Sequence, residues 1–263
     1  KGVSWVSYFS YQDSIYFREL LPVKPLPKLS SITGTSGNDF IQGNELDNSL
    51  FGLAGNDLII GGLGKDFIDG GSGIDTVRID AQFESFGIRN YSLEKLVDGS
   101  WNLILSEPTI STYQPSVTNG NDHLINVERL KFTDKSIALD LDGVAGITAK
   151  VIGAVLGKVQ VQNPTFVGIG LSYLDKGMSY SDLGALAMTA VGASTNDSVV
   201  TTLWKNVIGT EATPAIKAPY IKMLSDGMKI GDLVVLAAET SFNTTNINLV
   251  GLAQTGIEYI PVS

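Results

Sequence analysis

From residue 34 to residue 78 an apolar side chain returns every nine positions, as Ile41, Leu50, Ile59, Ile68 and Val77. Each stands between two neighbours free to face outward, which is the alternation of a very short strand buried on one face. Six-residue stretches rich in Gly, Asn and Asp separate these strands and read as turns. The copies run without a gap as GTSGNDFIQ, GNELDNSLF, GLAGNDLII, GGLGKDFID and GGSGIDTVR. A unit of this size cannot bury its own core, so the copies must stack. From 81 to 141 the texture becomes longer β-type alternation, in FGIRNYSLEKLVDG, SWNLILSEP and NVERLKFTDKSIALDLDG, with Asp98-Gly99 predicting a hairpin turn. From 142 onward the pattern is helical. Pro164 opens a helix ending near Gly177, and Ser181-Asp182 opens the next. LDKGMSYSDLGALAM at 174–188 matches LSDGMKIGDLVVLAA at 224–238, Pro164 pairs with Pro214, and AVLG at 154–157 resembles NVIG at 206–209. The helical part is therefore an internal duplication.

Polar positions share the nine-residue period. Gly34, Gly43, Gly52, Gly61 and Gly70 open the copies, and Asp39, Asn48, Asp57, Asp66 and Asp75 stand sixth. Stacking places turns two copies apart on the same edge, which brings their sixth-position carboxylates side by side. A hard cation resolves that repulsion. Calcium accepts six to eight oxygens, main-chain carbonyls included, in flexible geometry, whereas magnesium demands a strict octahedron and ranks second.

These units resemble the calcium-binding nonapeptide G-G-x-G-x-D-x-U-x of the RTX (repeats-in-toxin) family. The resemblance implies a parallel β-roll. One turn gives its sixth-position carboxylate and the carbonyls of its second and fourth residues; the turn two copies later gives its carboxylate and the carbonyls of its first and third. On this chain the first implied site joins Thr35, Gly37 and Asp39 to Gly52, Ala54 and Asp57. The second joins Leu53, Gly55 and Asp57 to Gly70, Ser72 and Asp75. On the opposite edge Asn44, Leu46 and Asn48 face Gly61, Leu63 and Asp66, a weaker set because Asn48 brings no charge and Leu46 replaces a turn glycine. A fourth site needs Gly62, Gly64 and Asp66 to meet a sixth turn, whose place in the sequence falls to 79–87 with Glu84 at the acid position. The expected load is two to four calcium ions.

Asp122, in a GND at 120–122, has the local look of the calcium turns and is read as a turn aspartate, with an irregular extra ligand as the alternative. The stretch 119–134 resembles the β-segment that caps such rolls. The duplicated half, 143–261, resembles a helical domain of unknown function found near the C-termini of RTX-type proteins; it carries no known chemistry, and Met178 and Met228 in it read as core contacts. The expected architecture is α+β and multidomain. A linker segment (1–31) precedes the β-roll (32–80), a β-rich cap (81–141) and an all-α domain holding the duplicated unit (142–263).

Net charge is −9, from 27 acidic and 18 basic residues, which argues against nucleic acid and suits a cation binder. There is no cysteine, so thiolate zinc sites and thiol nucleophiles drop out and metal would replace disulfides as a staple. No apolar run reaches the length of a transmembrane helix. The opening KGVSWVSYFSYQDSIYF does not have the pattern of a secretory signal, and with the following PVKPLPKLSS it reads as the tail of a larger upstream part or as an engineered boundary.

His123 is the only histidine, which excludes H-E-x-x-H and two-histidine metal sites. GIGLSYLDKG is not a G-x-S-x-G elbow, and Asp140, Asp142 and Gly143 lack an EF-hand loop and read as a domain junction. No catalytic residues are expected within this chain. The expected function is a calcium-dependent folding and export module of a larger secreted bacterial protein, with the type I secretion machinery as partner. Its terminal GLAQTGIEYIPVS is consistent with an uncleaved signal. Two alternatives stay open: the C-terminal region of a secreted protease or lipase with catalysis upstream, and a surface-layer or adhesive protein whose helices self-assemble or bind a glycan.

Overall fold

The five periodic hydrophobes all end up in one core, between two sheets that the chain visits alternately. A computed structural model describes residues 30–80, 84–85, 89–106 and 121–262; the upstream segment and its proline-rich linker lie outside them. Strands β1 (Ser30–Thr33), β3 (Asn48–Phe51) and β5 (Phe67–Asp69) pair in parallel on one side. Strands β2 (Phe40–Gln42), β4 (Leu58–Ile60) and β6 (Thr76–Arg78) do so on the other. The register aligns Ile32, Leu50 and Ile68 in one row and Ile41, Ile59 and Val77 in the facing row. Except for the partly buried end residue Ile32, all are buried in one cluster, as expected for units that bury apolar surface only by stacking.

Both sheets run on past residue 80. Strands β7 (Glu84–Ser85), β8 (Arg89–Lys95) and β9 (Trp101–Ser106) form an antiparallel excursion, with the predicted turn at Asp98-Gly99 between β8 and β9. The chain then re-enters the roll. Strand β10 (Asp122–Ile125) lies parallel to β5, and β11 (Arg129–Lys131) lies parallel to β6. Leu124 continues the Leu50 and Ile68 row, and Leu130 continues the Ile59 and Val77 row. The unit that follows the five nonapeptides in the roll is thus built around Asp122 and β10, not 79–87. Glu84 is instead paired with Asn90 in β7 at the far edge of the first sheet.

Strand β12 (Ser136–Ala138) extends the second sheet antiparallel to β11. Eight helices follow: α1 (Val144–Leu156), α2 (Pro164–Asp175), α3 (Tyr180–Ala190), α4 (Asn196–Ile208), α5 (Pro214–Ser225), α6 (Ile230–Ala238), α7 (Ser241–Asn246) and α8 (Leu249–Thr255). The duplicated sequence is the pair α2–α3 repeated as α5–α6. Asn163 and Thr213 cap the two proline-led helices through their side chains, and Ser179 caps α3 by accepting from the Asp182 amide. Met178 and Met228 pack partly buried against the helical core. Strand β13 (Ile257–Tyr259), from the terminal apolar stretch, returns to pair antiparallel with β12.

Ion pairs tie the two halves, Lys135 to Glu258 at 3.5 Å and, more deeply buried, those of Arg129. Arg129, only 3% exposed, forms ion pairs with Asp140 before α1 and with Asp175 at the end of α2. Burial pushes both carboxyls above their ordinary values while the Arg129 charge opposes that rise. Asp140, between β12 and α1, also accepts from the Ala145 amide in the first turn of α1.

Candidate metal centre

The turns are built as two ladders. The Asp39 amide donates to Asp57 Oδ1 at 2.8 Å, the Asp57 amide to Asp75 Oδ1 at 2.8 Å, and the Asp75 amide to Glu128 Oε2 at 2.8 Å. On the other edge the Asn48 amide donates to Asp66 Oδ1 at 2.9 Å and the Asp66 amide to Asp122 Oδ1 at 2.9 Å. One edge therefore carries Asp39, Asp57, Asp75 and Glu128, and the other carries Asn48, Asp66 and Asp122. Asp122 stands where a regular sixth turn would place its acid, and Glu128 stands where a seventh would.

Sequence reading weighted Asp122 toward a plain turn residue and did not single out Glu128. A signal was present: Asp122 and Leu124 keep the spacing between acid and strand hydrophobe found in every repeat. The insertion hid it.

Turns one and two differ from the rest. Asp39 Oδ2 accepts from the Thr35 amide and hydroxyl, and Asn48 Oδ1 accepts from the Asn44 amide, so each closes on its own turn. In turns three to five the second and fourth residues take φ between 79° and 140°, at Leu53, Gly55, Gly62, Gly64, Gly71 and Gly73. There Asp57, Asp66 and Asp75 are buried, and the Oδ2 of each has no hydrogen-bond partner. An unpartnered carboxylate oxygen in a low-dielectric setting is costly. Burial raises the Asp66 carboxyl to about 6 and the Asp122 carboxyl to about 7, with the charge of Asp47 adding to each and that of Asp66 adding to Asp122. Glu128 is likewise pushed to about 7 by burial, with Asp75 and Asp140 adding, and Asp75 is raised by burial and the neighbouring Asp57 and Asp69. Both edges thus collect acidic side chains, and the Arg129 charge opposes the rise only at Glu128.

The first-position glycines show which oxygens converge. A Cβ built on Gly52 would lie 2.2 Å from the Gly70 carbonyl oxygen and 2.3 Å from Asp57 Oδ2. One built on Gly34 would lie 2.8 Å from both the Gly52 oxygen and Asp39 Oδ2, and one on Gly43 would lie 2.1 Å from the Gly61 oxygen and 2.4 Å from Asn48 Oδ1. Oxygens of each of the first three implied ligand sets thus lie over a glycine whose missing side chain leaves the space. Among the second-position carbonyls, Leu53 O accepts from the Ser72 amide and Asn44 O from the Leu63 amide. Thr35, Gly37 and Leu46 lie in the two self-closed turns, Ala54 bridges to Ser72 in parallel, and Gly55 donates its amide to Ser72 O. Among the described residues no three His, Asp or Glu side chains cluster as a metal site. A cation here must draw on main-chain carbonyls, which calcium does readily.

His123 is part-buried, with Nδ1 3.1 Å from Asn102 Oδ1 and its ring stacked on Phe67 at 5.7 Å, so it serves the sheet. Among the described residues no helix is long and apolar enough to cross a membrane.

The family model of the RTX calcium-binding nonapeptide repeat (four copies) matches residues 31–45 and 42–77. This stretch is an RTX repeat block, and the fold around it is α+β with a helical C-terminal part. Among solved structures the chain is similar to a subunit of the Azotobacter vinelandii mannuronan C5-epimerase, determined in solution. That match has 17% identity over 39% of this chain and 78% of the other, with a TM-score of 0.16. No curated protein matches the chain.

Proposed function

We propose that this chain is a calcium-binding module that folds on meeting extracellular calcium and supports type I secretion and stability of a larger secreted protein. The observation that carries this reading is the set of buried, unpartnered Oδ2 atoms of Asp57, Asp66 and Asp75, facing turns that the RTX model covers. The first two ligand sets, on Asp39, Asp57 and Asp75, and the third, on Asn48 and Asp66, are the proposed sites; the fourth uses Gly62, Gly64, Asp66 and Asp122. Without the ion the two acid ladders repel and expose their short strands; with it, binding free energy becomes folding free energy. Extracellular modules of this kind fill at about 10⁻⁴–10⁻³ M calcium, so the block stays open inside a cell and closes outside. Circular dichroism of the chain in chelator and in millimolar calcium tests this. Strand signal should rise with the ion, and identical spectra would refute the reading.

A further inference from the structure

The edge that carries Asp39, Asp57 and Asp75 does not stop where the nonapeptides stop. We propose that Asp75 and Glu128 close an additional calcium site against a shortened turn, with Asn126 and Glu128 lying outside the residues that the repeat family covers. The proposal rests on reading the regular turns as calcium sites.

In a regular turn five residues separate a strand from the next acid, as in 70–74; between β10 and Glu128 there are only Asn126 and Val127. The backbone nevertheless keeps the repeat's arrangement. The Gly70 amide donates to Ile125 O just as the Gly52 amide donates to Asp69 O. A Cβ on Gly70 would lie 2.1 Å from the Asn126 carbonyl oxygen and 2.7 Å from Asp75 Oδ2, the same pair of neighbours found at Gly52. Asn126 thus supplies the first-position carbonyl, reached with φ of 50°. Its side-chain Nδ2 donates to Asp69 Oδ1 at 2.8 Å.

Shortening the turn removes the third-position residue whose amide would engage Gly71 O. The carbonyls of Gly71, Gly73 and Asn126 accept no hydrogen bond from a described residue. Asp75 is fully buried and its Oδ2 is unpartnered. Those three carbonyls and the Asp75 and Glu128 carboxylates give an all-oxygen donor set for a hard divalent cation, with water to complete it. Glutamate in place of aspartate fits the geometry, because its extra methylene spans the gap left by the missing turn residues while Oε2 still takes the Asp75 amide.

Calorimetric calcium titration of the full chain and its Glu128→Gln variant tests the site, with Asp57→Asn as the reference for the regular turns. Glu128→Gln keeps an oxygen for the Asp75 amide and should bind one ion fewer than wild type, leaving the Asp57-dependent events unchanged within twofold. Unaltered stoichiometry and affinities would overturn the proposal. If wild type binds no calcium, the underlying reading fails instead. Should the variant not fold, crystals of wild type grown with terbium decide the matter. An anomalous peak between Asp75 and Glu128 supports the site, and peaks at the regular turns alone overturn it.

Discussion

Leu53 occupies the second position of the third turn with φ of 79°, where turns four and five have Gly62 and Gly71. A bulky residue in that region costs about 1–2 kcal/mol, and its side chain, half exposed, returns little by burial. Leu53→Gly should therefore raise stability in calcium by about 1 kcal/mol in urea unfolding; a loss of stability would show that its side chain matters more than its backbone. Gly62 is the converse, with φ of 101° and a prospective Cβ 2.2 Å from Asn44 O. Gly62→Ala should lose about 2 kcal/mol or more and weaken the roll. Interior and end carboxylates differ as well. Asp39 is already satisfied by Thr35, whereas Asp57 and Asp75 have a free buried oxygen. Asp57→Asn and Asp75→Asn should raise the calcium midpoint of folding by about tenfold, near 1.4 kcal/mol, and Asp39→Asn by less. Equal shifts in a titration followed by circular dichroism would remove that distinction.

Among the elements, the duplicated helices α3 and α6 meet at equivalent residues. A Cβ on Gly231 of α6 would lie 1.9 Å from the Ser181 carbonyl oxygen of α3, and Ser181 donates its hydroxyl to Asp232 at 2.6 Å. Gly231→Ala should cost about 1–3 kcal/mol by forcing the pair apart, read as lower thermal stability of the helical signal. The exposed Leu236 on the same helix should tolerate alanine. Duplication and the helix starts at Pro164 and Pro214 were legible in the sequence, because capping and spacing are local. So were the five short strands of the nonapeptides, whereas β1, at Ser30–Thr33, begins inside the stretch read as linker. What was not legible was the re-entry of β10 and β11. The sixth acid, due at residue 84 on the nine-residue period, comes at 122, and the seventh, due nine later, comes at 128. Period alone cannot see past an antiparallel excursion, and only backbone pairing shows that Glu84 was displaced by Asp122.

For the whole molecule, the raised carboxyls set a pH dependence. Asp66, Asp122 and Glu128 hold their protons to about 6, 7 and 7 in the fold, against ordinary values of 3.8, 3.8 and 4.5. A raised acid makes the metal-free fold bind protons more tightly than the unfolded chain, so stability falls as pH rises from about 4 to about 7. In chelator the roll should be better formed at pH 5 than at pH 8. Calcium competes with the same protons, so its midpoint should rise as pH falls from 8 to 6. A pH-independent spectrum in chelator would contradict this.

Arg129 links the halves at the same scale. Arg129→Met leaves Asp140 and Asp175 without their cation and should cost about 3–5 kcal/mol. Trp101 in the sheet and Trp204 on α4 of the variant should then report separate unfolding transitions, whereas a variant that still unfolds with one shared midpoint would show that Arg129 is not the coupling.

Strand β13 pairs Glu258 with Ile137 across 121 residues of chain. Eight helices must pack before those two strands become neighbours, which makes this one of the most non-local pairings in the fold. Closing so long a loop is expensive and slow when the intervening chain is loose. Once α1 to α8 are packed, the loop is effectively a few residues long. The timing of sheet completion is therefore governed by the helices, and the β-sheet side of the molecule finishes last at the edge that the helical half delivers.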